Sequence, residues 1–98
     1  MATHIVCWNF KDTVAEAEKP ALKAAMKEKL TGLVCQVPGL LTAEFIDAPA
    51  AGSNREIALI TTHASLVDIE VYAKDPRHIA VADAYVRPYT ADRACVNF

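Results

Sequence analysis

Tyr72-Ala73-Lys74-Asp75-Pro76-Arg77-His78 ends one helix and begins the next, and the rest of the chain can be placed around it. Asp75 carries the short carboxylate favoured at a helix N-cap. Pro76 suits the first helical position, where its missing N–H leaves no bond unmade. Upstream, Ser65-x-x-Asp68 has the spacing of a capping box and predicts a short helix through Ala73. Downstream, Ile79, Ala82 and Val86 recur at helical spacing, which predicts a second helix ending at Tyr85 or Val86, before Pro88. His78 lies in the first turn of that helix, where the dipole favours neutral imidazole over imidazolium. Tyr72 and His78 are expected to face one pocket.

Working back from Ser65, Glu56 to His63 is β-rich. Ile57, Leu59, Thr61 and His63 lie on one face, Ala58, Ile60 and Thr62 on the other. The loop Ala48-Pro49-Ala50-Ala51-Gly52-Ser53-Asn54 separates it from a strand over Leu40 to Asp47, so the two should form a hairpin. Val37-Pro38-Gly39 stops a long helix over about Glu18 to Cys35. Pro20 confines any earlier helix to a short turn. Leu22, Met26, Leu30, Leu33 and Val37 form its apolar stripe, and Lys19, Lys23 and Lys27 a solvated basic face. Thr3 to Phe10 reads as the first strand and Arg93 to Phe98 as the last. The order β-α-β-β-α-β is the ferredoxin-like pattern, an α+β fold with a four-stranded antiparallel sheet and both helical segments on one face. The face bearing Val6, Trp8, Leu59 and Phe45 is expected to be uncovered in one chain. Packing two such sheets together would make Trp8, Phe10 and Phe45 the dimer interface.

Composition agrees with a paired domain. The 98 residues form a single domain over 1–98, 53% apolar and only 22% charged, a surplus that a second copy would bury. A net charge of −2 with no basic run argues against a nucleic-acid partner. No apolar run has the length of a membrane span, and the chain enters a strand at once, without a signal-peptide pattern. A cytoplasmic protein is expected. Cys7, Cys35 and Cys95 are odd in number and dispersed, and read as reduced, mostly buried thiols rather than a zinc site. Cys7 and Cys95 have no evident base nearby, so nucleophilic catalysis is unsupported. Asp83, Asp92 and Glu44 lack the spacing of paired catalytic or metal-binding carboxylates. No metal and no cofactor are expected.

Five stretches, in order and at matching spacing, resemble the stress-responsive A/B barrel (Dabb) family of the dimeric α+β barrel superfamily. They are His4-Ile5-Val6 with Phe10-Lys11-Asp12, then Val37-Pro38-Gly39-Leu40, Ile57-Ala58-Leu59-Ile60-Thr61-Thr62 with Ser65, Tyr72-x-x-x-Pro76-x-His78, and Asp92-Arg93-Ala94-Cys95-Val96-Asn97-Phe98. The resemblance implies a homodimer whose two sheets close a barrel. In one plant branch, a polyketide cyclase, residues matching Tyr72 and His78 act in proton abstraction, and a His matching His4 lines the pocket. Asp75 and Met26 depart from that branch, standing where it has another His and a pocket aromatic.

Two readings of function follow. In the first, the protein is a dimer of undefined biochemical activity. Each subunit then has an apolar cleft, lined by His4, Val6, Met26 and Leu59, for a small hydrophobic or carbonyl-containing ligand. In the second it is a cofactor-independent cyclase- or isomerase-like enzyme, with His78 as general base oriented by the Tyr72 phenol. Placing the first and third strands as parallel neighbours puts His63 at the far end, about 20 Å from the start of the strand at roughly 3.3 Å per residue, and so outside the cluster.

Overall fold

In the computed structural model, which describes residues 1–98, burial alternates along the first strand, β1 (Ala2–Phe10). Its even-numbered residues are buried and its odd-numbered ones half-buried, as expected of a strand with two unlike faces. A single 3₁₀ turn (Glu16–Glu18) leads into α1 (Lys19–Thr31), with Pro20 in the first turn, and a 3₁₀ turn over Gly32–Cys35 finishes the helix. Strand β2 (Leu40–Ile46) and strand β3 (Ile57–His63) form the expected hairpin. The helices α2 (Leu66–Lys74) and α3 (Pro76–Val81) follow, and a π-helical turn over Ala82–Val86 continues α3. Strand β4 (Thr90–Asn97) closes the chain.

The sheet order is β2-β3-β1-β4 and every neighbouring pair is antiparallel. The expectation that the first and third strands run parallel is therefore wrong. The helical return from β1 leaves β2 pointing the same way, and the hairpin then reverses β3. Ala2 consequently pairs with His63 and His4 with Thr61, so the end of β3 lies beside the start of β1.

The helices cover the face that holds His4, Val6, Trp8 and Phe10. Val6, Trp8, Phe10, Phe45 and Leu59 pack with Met26 and Leu30 in the main core. This corrects the assignment of Trp8, Phe10 and Phe45 to a dimer interface: the three aromatics are only 4–8% exposed within one chain. Their bulk fills the space between sheet and helix. The uncovered face instead carries Ile5 opposite Ile60 and Val96, and Cys7 opposite Ala58 and Ala94. Met26, Leu30 and Leu33 realise the expected helical stripe, each contributing about 2 kcal/mol by burial. Leu33 and Val37 meet Leu40 and Tyr72 in a smaller cluster at the end where His4 lies.

Two further expectations are corrected. All three cysteines are free, but Cys7 is only half-buried and Cys35 and Cys95 are exposed. Cys35 ends the turn after α1 and Cys95 lies on an edge strand. Strand β4 also begins at Thr90 rather than Arg93. A bulge places both Asp92 and Arg93 between the pairs Cys7–Ala94 and Asn9–Ala91, opposite Trp8. Asp92 takes the left-handed conformation there (φ 54°), held by Asn9 Nδ2 on its carboxylate (3.1 Å) and Arg55 Nε on its carbonyl (2.8 Å).

Candidate functional site

Asp75 is at once the last residue of α2's cap and the N-cap of α3, in the extended conformation that a following proline favours. Its Oδ1 accepts the Arg77 backbone N–H at 2.8 Å and Arg77 Nε at 2.9 Å, and its Oδ2 accepts from Nη2 at 2.8 Å. These bonds from the Arg77 side chain and backbone hold the Asp75 carboxyl well below its usual range, at about 2. The corner they fix brings the last turn of α2 against the first turn of α3. The Tyr72 and His78 rings lie 4.3 Å apart between centroids, tilted by 43°.

His78 is not oriented by the Tyr72 hydroxyl. Its Nδ1 lies 3.3 Å from the Ala73 carbonyl oxygen, which can only accept, so Nδ1 carries the proton and Nε2 keeps its lone pair. Burial pushes the His78 pKa down, against the Ala73 bond, with Arg87 and His4 acting in the same direction as burial. The ring is therefore a neutral imidazole at neutral pH. Tyr72 is 2% exposed, and burial alone raises its phenol to about 12. It can donate a proton in a hydrogen bond, but it cannot serve as a base. Its hydroxyl has no hydrogen-bond partner.

The antiparallel register adds His63 to this group. His63 is fully buried, with its ring 5.1 Å from Tyr72 and 6.5 Å from His4. Its Nε2 meets Thr61 Oγ1 at 2.8 Å, while its Nδ1 is buried without a partner. Burial lowers its pKa, as does the proximity of His4. His4 itself is anchored from the edge strand, its Nδ1 donating to Asn97 Oδ1 at 2.6 Å.

Between sheet and helices, this end of the molecule encloses a cavity of about 110 Å³. Val6, Trp8, Leu30, Leu59, Ile69 and Val86 supply its apolar walls, and His4, Tyr72, His78, Arg87 and Arg93 its polar groups. Of the residues expected at a pocket, His4, Val6, Leu59, Tyr72 and His78 are brought together. Met26 is not among them: it is 0% exposed, sealed in the core against Leu30 and Phe45, and does not reach the cavity. Trp8, expected at an interface, forms part of the wall. Sequence reasoning missed His63, Arg87 and Arg93. Strand direction could have recovered His63; nothing in the local pattern marks the two arginines. No group of three or more His, Cys, Asp or Glu side chains is arranged to hold a metal ion.

A ferredoxin-like α+β domain with a part-polar cavity between sheet and helices is thus defined. The chain belongs to the family of the stress responsive A/B barrel domain, whose model matches residues 2–98. Solved structures place it among proteins of this shape. A dimeric protein of unknown function with a ferredoxin-like fold from Bacteroides fragilis is 27% identical, with a TM-score of 0.88 over 99% of this chain and 93% of that one. A dimeric ferredoxin-like protein of unknown function from Thermobifida fusca is 24% identical, with a TM-score of 0.75 over 99% and 88%. A haem-degrading protein from Mycobacterium tuberculosis, solved with two haems in its active site, is 19% identical, with a TM-score of 0.73 over 100% and 93%. No curated protein matches the sequence. No helix is long and apolar enough to cross a membrane.

Proposed function

We propose that this protein acts as a cytoplasmic homodimer whose subunits each bind a small hydrophobic, carbonyl-containing molecule in the cavity beside Tyr72 and His78. The observation that carries this reading is the buried Tyr72 hydroxyl, which lacks a partner on a residue that lines the part-polar cavity. A buried polar group without a partner costs about 1–3 kcal/mol, and a carbonyl oxygen from a ligand would satisfy it. The volume of about 110 Å³ is below the roughly 150 Å³ that takes benzene and suits a short chain whose end reaches the mouth. Dimerisation is supported by the mixed apolar face of Ile5, Ile60 and Val96 and by the dimeric state of the Bacteroides fragilis protein. The haem chemistry of the Mycobacterium tuberculosis protein is not carried over, because a likeness at 19% identity concerns the fold alone.

A second reading, cofactor-independent proton abstraction next to a carbonyl, is favoured by one observation. His78 is neutral with Nε2 unoccupied, beside a phenol that keeps its proton. In such a reaction Nε2 would take the carbon-bound proton and Tyr72 would donate a hydrogen bond to the enolate oxygen.

Side-chain NMR of His78 against pH, with and without a poly-β-keto mimic, tests the binding reading. The His78 signals should move with the mimic and cease to do so in Tyr72→Phe; signals indifferent to the mimic would refute it. Acceleration of proton exchange from the mimic into D2O above its spontaneous rate, lost in His78→Ala, would establish the second reading, and exchange at the spontaneous rate would leave binding alone. Ile60→Asp on the uncovered face should convert the dimer to a monomer on size-exclusion chromatography, and an undisturbed dimer would refute that placement of the interface.

A further inference from the structure

The cavity is charged in one sense only. Its two charged lining residues are Arg87 and Arg93, and no Asp or Glu reaches it, although the chain as a whole carries a net charge of −2. The two guanidiniums are not equivalent. Arg87 already has a carboxylate partner, Asp83 one turn before it, in an exposed pair. Arg93 has no carboxylate partner and no hydrogen bond from its side chain to the rest of the chain.

The backbone fixes where Arg93 lies. Val6 pairs with Cys95 on the helix-facing side, so Arg93, two residues before Cys95, falls on that same side opposite Trp8. The bulge at Asp92 absorbs the extra residue, which lets β4 continue to the Asn9–Ala91 pair without moving Arg93 off the cavity. Bulges of this kind are found where a strand must aim a side chain at a site.

Resting on the reading of the cavity as a ligand site, we propose that it selects an amphipathic monocarboxylate: an apolar body against Trp8, Leu59 and Val86, with its carboxylate on Arg93 at the mouth. One unpaired guanidinium matches one negative charge, and its planar fork accepts a carboxylate in two parallel hydrogen bonds. A phosphate dianion would be matched by two unpaired cations, whereas here only Arg93 is unpaired and Arg87 shares its charge with Asp83. His78 adds none, being kept neutral by burial.

Trp8 is the sole tryptophan and lines the cavity, so its indole N–H resonance reports occupancy. The test titrates the intact protein with hexanoate, hexanamide and hexyl phosphate at pH 7.5. Hexanoate is expected to bind about tenfold more tightly than hexanamide, the weight of one charge-assisted contact at a part-exposed site. Arg93→Gln should erase that preference, so that hexanoate binds no more tightly than hexanamide, and Arg93→Lys should restore part of it. Equal binding of hexanoate and hexanamide, a preference that survives Arg93→Gln, or tighter binding of hexyl phosphate would each overturn the assignment while leaving the cavity a ligand site. If none of the three moves the Trp8 resonance, the cavity reading itself fails and this inference with it.

Discussion

Replacing Tyr72 by Phe should stabilise the fold and weaken ligand binding. The hydroxyl lies in a residue 2% exposed and has no hydrogen-bond partner, while the ring around it packs against His63, His78 and the Leu33–Val37–Leu40 cluster. Phe keeps that packing and removes only the oxygen. Burying a hydroxyl unpaired costs about 1–3 kcal/mol. The void left by one oxygen forfeits a few tenths of a kcal/mol at about 24 cal/mol per Å³. The net gain is therefore about 1–2 kcal/mol. For a chain of this size each kcal/mol is worth roughly 4–8 °C in Tm, so a rise of about 5–15 °C is expected. Urea unfolding followed by circular dichroism, at matched protomer concentration, gives the free energy directly and should show an unchanged m-value. The same variant should lose the response of His78 to the poly-β-keto mimic. A residue whose removal raises stability and lowers binding is one kept for its ligand. A fall in the unfolding midpoint on Tyr72→Phe would refute this reasoning, since it would mean that the hydroxyl is already satisfied in the folded protein.

Acid should loosen the fold through the histidines. Burial holds the folded pKa values of His63 and His78 below the ordinary 6.5, so the unfolded chain binds more protons in that range. Stability is full above about pH 6.5 and declines as pH falls below it, by at most about 1.4 kcal/mol per pH unit for each histidine. Asp75, lowered to about 2 by Arg77, contributes stability that is lost only in stronger acid, so the two effects separate. Urea midpoints between pH 5 and 8 should follow this slope and flatten in His63→Gln; a slope unaltered by that substitution would show that His63 titrates normally. Gly39→Ala should destabilise by about 1–3 kcal/mol, because Gly39 has φ 84° and an added Cβ would stand 2.6 Å from the Asp68 carboxyl carbon. Pairing it with Asp68→Ala should recover only part of the steric cost in urea unfolding, because the Cβ that Ala retains would still stand 2.8 Å away, and a double variant no better than the single would show that the backbone conformation carries the whole loss.

The elements of the fold were legible because each has a local cause. Ser65 accepts the Asp68 N–H at 3.3 Å, Asp75 accepts the Arg77 N–H, and Pro76 sits in the first turn of α3, all as the spacing implies. What periodicity does not reveal is which face of a strand is covered. In β1 the two sets, His4-Val6-Trp8-Phe10 and Thr3-Ile5-Cys7-Asn9, are both apolar enough to be buried, and alternation treats them alike. The distinction is one of volume. The set with two aromatics fills the wide gap under α1, while the slimmer set of Ile5, Cys7, Ala58 and Ile60 forms the uncovered face.

The site was half legible for a related reason. Tyr72 and His78 meet because Asp75 and Pro76, next to them in sequence, fix the corner between their helices. His63 and Arg93 depend instead on strand direction and register, which are long-range properties. Direction can be deduced by counting reversals: a helical return restores the heading of β1 in β2, and the Ala48–Asn54 hairpin inverts it in β3. That count puts His63 beside Ala2 and behind Tyr72, whereas a parallel placement sends it to the opposite end. Arg93 has no such count behind it. Without the left-handed turn at Asp92, numbering β4 from the Asn9–Ala91 pair would place Arg93 opposite Cys7, on the uncovered face of the sheet. One extra residue in an edge strand therefore decides whether the unpaired cation serves the cavity or the face where Ile60 lies.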